Sequence, residues 1–119
     1  MMDIRHGRSV NQRQNKAVPW FTTAIKGPDQ LRQRMAWALA QIFAIDYLGG
    51  TKDIMSEMYT NYYDIFVRHA HGNYRELLKE IAYSPVMGKW LTYTGSASFA
   101  SSGTYPDENF SREIMELFS

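Results

Sequence analysis

The chain has 119 residues and no cysteine, which excludes two full domains, disulfides, thiol nucleophiles and thiolate metal sites. Thirteen basic residues against twelve acidic ones leave a net charge of +1, so the overall balance points to no nucleic-acid or membrane partner. Hydrophobic residues make up 45% and aromatics 14%, the composition of a globular protein rather than a disordered one. The longest apolar run, Met35 to Ile45, is broken by Gln41 and is too short to span a bilayer. The opening MMDIRHGRSV lacks the apolar centre of a signal peptide.

Charge is unevenly placed. Residues 1–34 hold seven basic and two acidic side chains, a net of +5, and the rest of the chain carries −4. Residues 1–18 are polar and aperiodic, and read as an extended basic arm. Residues 19–119 read as a partial helical domain.

Within it, WFTTAIKG suggests one or two helical turns ended by Gly27. Pro28 and Asp29 then suit the start of a longer helix, with the acid in the first turn near the exposed amides. Leu31, Met35, Ala38, Leu39, Ile42 and Ile45 recur at three- and four-residue spacing and predict its buried stripe, with Gly49-Gly50 as terminator. A third helix is expected over about Lys52 to Ala70, with Ile54, Met58, Tyr62, Ile65, Phe66 and His69 on one face. Gly72 ends it, and Asn73 caps a fourth helix that buries Tyr74, Leu77, Leu78 and Ile81. Ser84-Pro85 opens a short fifth helix, VMGKWL. Residues 93–105 are rich in Ser and Gly and read as a loop. Pro106-Asp107 opens a last helix with Phe110, Ile114, Leu117 and Phe118 apolar. No alternating run is bounded by hairpin turns, so the fold class is all-α, with about five to six helices in an irregular bundle.

Three segments carry a family resemblance: DQLRQRMAWALAQIF (29–43), GNYRELLKEIAYSPVMGKWL (72–91) and PDENFSREIMELF (106–118). In order and approximate spacing they resemble the signature blocks of the domain of unknown function 1800 family, whose members are large and mostly bacterial. The last block is the most specific. The resemblance implies a helical fold, a longer parent protein and no established activity. It also implies that His71 is dispensable for chemistry, because family members typically carry phenylalanine where this chain reads Ala70-His71-Gly72-Asn73.

Four constellations could carry chemistry. His69 and His71 lie two apart, and on a helix they would point to opposite sides, so no metal site and no cofactor are expected. On the last helix Asn109, Arg112, Glu113 and Glu116 fall at three- and four-residue spacing, and two carboxylates there could serve as general acid and base. The commoner role of such a helix is a solvated face, with Glu108 and Arg112 as an i,i+4 pair. Arg32 and Arg34 sit at the start of the second helix, the one opened by Pro28 and Asp29, where positive charge opposes the dipole. This predicts an acidic partner, with Arg34 bridging to Glu113 or Glu116. The aromatics Tyr59, Tyr62, Tyr63 and Phe66 fit a core better than a base-stacking platform, since no basic residue interleaves them.

No phosphate loop, zinc-helix pattern or nucleophile elbow occurs. The expectation is a structural or protein-interaction segment whose partner is the remainder of its own chain or a larger assembly. The alternative is part of an enzyme with a polar site formed by Arg32, Arg34, Asn109, Arg112, Glu113 and Glu116.

Overall fold

A computed structural model describes residues 20–45 and 55–118, and within them all regular structure is helical. The elements are α1 (residues 20–26), α2 (Gln30–Ile42), α3 (Met55–His69), α4 (Tyr74–Ala82), α5 (Pro85–Trp90), α6 (Phe99–Ser102) and α7 (Asn109–Glu116). The all-α expectation holds. The basic arm, the Gly49-Gly50 stop and the expected helix start at residues 52–54 lie outside the described residues.

Local chemistry sets the helix boundaries. Gly27 closes α1 by donating its amide to the Thr23 carbonyl at 2.9 Å. A Cβ at Gly27 would stand 2.6 Å from that oxygen, so the turn requires glycine. Asp29 precedes α2 at the capping position, yet its carboxylate accepts from the Gln33 side chain at 3.1 Å rather than from backbone amides. Asn73 does cap α4, accepting from the amides of Arg75 and Glu76 at 2.9 and 3.4 Å. Pro85 occupies the first turn of α5, where its missing N–H costs nothing. Within the Ser/Gly-rich segment, read from sequence as loop, four residues wind into α6. Its amide and hydroxyl bonds to the Ser98 carbonyl, and Gly103 at φ +70°, hold that single turn.

The core lies where α3 crosses α2, α4 and α5. Phe43, Phe66, Leu77, Ile81 and Met87 are fully buried. Tyr62, Ile65 and Phe66 give α3 the buried face its spacing predicts. Phe43 is the hub: its ring centroid lies 6.0 Å from Phe66, 6.0 Å from Tyr74 and 4.7 Å from Phe118. Such pairs contribute about 0.5–1.5 kcal/mol each beyond the area they bury. Helix α2 ends at Phe43 rather than at the glycine pair. There the Phe43 carbonyl turns to accept from the buried Tyr62 hydroxyl at 2.9 Å.

Two packing expectations need correction. The predicted stripe of α2 is only in part its buried face: Leu39 and Ile45 pack half-buried against the core, but Leu31 is 71% exposed, Met35 40% and Ile42 47%, and Ala38 is also exposed. The helix instead buries Ala36 and Phe43, with Leu39 and Ala40 half-buried beside them. On the helical wheel the two faces are roughly a third of a turn apart. Apolar residues cover so much of the α2 circumference that spacing alone could not say which part packs inward. The second concerns Tyr74, expected on the buried side of α4 but 42% exposed, its hydroxyl reaching out to the end of the chain's last described turn. Phe118 is only 5% exposed, tucked against Phe43 with its carbonyl accepting from the Tyr74 hydroxyl, whereas Leu117 is 65% exposed.

Candidate functional site

The polar residues of the last block gather where the end of α5 meets the start of α7. Asp107 ties this junction together. Its Oδ1 accepts from the Asn109 amide at 2.9 Å, and its Oδ2 accepts from the Thr92 hydroxyl at 2.5 Å. Asn109 Nδ2 donates to Thr92 Oγ1 at 3.1 Å, and the Asp107 amide donates to Ser96 Oγ at 3.3 Å. Arg112 Nη1 donates to Glu108 Oε1 at 3.1 Å, the i,i+4 pair its spacing predicts, and Nη2 donates to Asn109 Oδ1. The Thr92 hydroxyl bond, the Asn109 amide bond and the Arg112 charge hold the Asp107 carboxyl below its ordinary range. Thr92 sits at φ +62°, a left-handed conformation that β-branched residues rarely adopt.

Of the six residues singled out from the sequence, two therefore meet here, Asn109 and Arg112. Glu113 lies beside them in sequence, and its buried Oε2 has no hydrogen-bond partner among the described residues. Glu116 is exposed at the end of α7. Arg32 goes elsewhere: its Nη1 donates to the Val67 carbonyl at 3.0 Å. That carbonyl belongs to the last turn of α3, where a cation meets the negative end of the helix dipole and carbonyls left without helical partners. Arg34 is exposed, and among the described residues no ion pair joins it to Glu113 or Glu116.

Thr92 is the member of the cluster that spacing misses. It stands outside the last block, and no sequence signal marks a threonine for a left-handed backbone.

A second polar group closes the α3–α4 corner. Glu80 accepts from Arg68 through Oε1, and Glu80 Oε2 lies 2.6 Å from His69 Nε2. Partial burial pushes the Glu80 carboxyl upward, but the hydrogen bonds and charges of His69 and Arg68 outweigh it and hold the group below its usual range. His69, Glu76, Lys79, Glu80 and Tyr83 line a shallow open cleft there. His71 is exposed and takes no part.

Chemically, both clusters are committed to themselves. The carboxylate of Asp107 and the guanidinium of Arg112 are occupied by neighbours on the chain. Among the described residues no three His, Asp or Glu side chains converge as a metal site. No described helix is long and apolar enough to cross a membrane.

No curated protein and no solved structure matches the chain. The sequence profile described as "Protein of unknown function (DUF1800)" matches residues 4–119, a span that takes in all three blocks, and the chain belongs to that family.

Proposed function

We propose that this chain is a protein-interaction segment and that the outer stripe of α2 is its contact surface. One observation carries the reading: Leu31, Met35, Ala38 and Ile42 stand exposed in a row along a helix whose neighbouring face, about a third of a turn away, is already packed. Burying a Leu, Ile or Met side chain is worth about 1.5–3 kcal/mol, so three large apolar side chains in one row are a substantial unused source of binding energy. Exposed Phe21 and Ile25 on α1 and exposed Leu117 after α7 add to the apolar surface left uncovered.

The alternative, a catalytic site on α7, has less support. Asn109 and Arg112 spend their polar atoms on Thr92 and Glu108 and on each other. Arg32 is occupied at the end of α3.

The test is a photo-crosslinking amino acid placed at Met35, at Ile42 or, as a control, at exposed Glu57, in the protein expressed in its own cell. Adducts to polypeptide from positions 35 and 42 but not from 57 are expected. Equal adduct yield at all three positions, or none at any, overturns the reading.

A further inference from the structure

Two surfaces of this chain complement each other without meeting. The exposed stripe of α2 repeats at four, three and four residues, the spacing of a helix–helix seam, and Arg34 edges it. Arg34 is exposed and pairs with no acid among the described residues. At the end of α7, exposed Leu117 stands next to exposed Glu116, which pairs with no base among the described residues. The apolar parts match in character and the charges are opposite.

We infer that the occupant of the α2 stripe is a second copy of this chain, which seats Leu117 against Met35 and Ile42 and pairs its Glu116 with Arg34. The inference rests on the reading of α2 as a contact surface. A stable interface takes in about 800 Å² per partner, more than one such helix contact covers. A two-fold arrangement makes the contact twice, α2 on α7′ and α7 on α2′, and closes without leaving either surface open. Each Arg34 and each Glu116 then has its partner across the axis. Opposite charges at the edge fix the register, and like charges there are disfavoured.

Sedimentation velocity of the chain from about 1 to about 200 µM, a range in which weak specific dimers assemble, tests this. The expected result is a concentration-dependent shift from monomer to dimer. Arg34→Glu alone and Glu116→Arg alone should each weaken association by about tenfold or more, because each places two like-charge contacts in the dimer. The double exchange Arg34→Glu/Glu116→Arg should restore it to within about threefold.

Both side chains are exposed, so far-ultraviolet dichroism should be unchanged. Arg34→Gln and Glu116→Gln repeat the test without charge reversal should either reversal variant misfold. A chain that stays monomeric throughout overturns the inference, as does a dimer indifferent to both reversals or unrescued by the exchange. If the cellular crosslinks from Met35 and Ile42 capture a different protein while the chain stays monomeric, the contact surface stands and the second copy does not. If no crosslinks form, both fall.

Discussion

The Tyr62 hydroxyl donates to the Phe43 carbonyl at 2.9 Å inside the core, and this one bond joins the end of α2 to the middle of α3. Burial pushes the Tyr62 phenol well above its ordinary pKa, so it remains a donor at any physiological pH. Tyr62→Phe keeps the ring and leaves a buried carbonyl without its partner. Such a loss costs about 1–3 kcal/mol, and chemical denaturation should show a lower midpoint with an unchanged slope.

Ala36 and Ala38 report the orientation of α2. Ala36 is fully buried and Ala38 is exposed. Ala36→Leu should destabilise by about 1–3 kcal/mol through overpacking, whereas Ala38→Leu should change stability by less than about 0.5 kcal/mol. Equal costs at the two positions would contradict the burial of α2 described above.

Gly88 tests the approach of α5 to the segment that follows it. A Cβ there would lie 2.7 Å from Thr94 Oγ1 and 3.2 Å from the Tyr93 ring. The threonine can rotate. The ring is pinned by its hydroxyl bond to the Ala82 carbonyl at 2.7 Å and by Phe110 at 4.8 Å. Alanine gains about 1 kcal/mol of helix propensity over glycine, and overpacking costs about 1–3 kcal/mol. Gly88→Ala should therefore lower the melting temperature modestly, and adding Thr94→Ala should recover part of the loss.

Glu80 links stability to pH. Its folded carboxyl lies below the ordinary value because His69 and Arg68 outweigh the effect of burial. The folded state thus binds fewer protons at this site than the unfolded chain does. The stabilisation is complete above the unfolded pKa of about 4.3 and is lost as pH falls through the lowered folded pKa. Solvent screening keeps the effect small at this partly exposed pair. Glu80→Gln should be less stable than the parent at pH 7, and the difference should shrink below about pH 4, as followed by thermal melts across that range.

The longer helices and some of their boundaries were legible in the sequence, whereas Asp29 occupies the capping position of α2 without capping it. Asn73 before α4, Pro85 in α5 and the α3 face of Tyr62, Ile65 and Phe66 all follow from local chemistry. The packed side of α2 was not legible, because Leu31, Met35 and Ile42 compete with Ala36 and Phe43 and only tertiary contacts choose between them. Arg32 was recognisable as a cation in need of a partner. Its partner is a backbone carbonyl 35 residues away, which carries no side-chain signature. The link of Asp107 to Thr92 was hidden for the same reason, since it depends on how the chain bends between α5 and α7.

Oxidation of methionines shows whether the α2 stripe is covered in the cell, because Met87 is buried and Met35 is exposed on that stripe. Brief peroxide treatment followed by mass spectrometry is applied to the dilute purified chain and to the protein inside its own cell. In the purified chain Met35 should oxidise readily while Met87 stays reduced. Inside the cell Met35 should be protected relative to the purified chain, with Met87 unreactive in both. Equal reactivity of Met35 in the two settings would contradict the account.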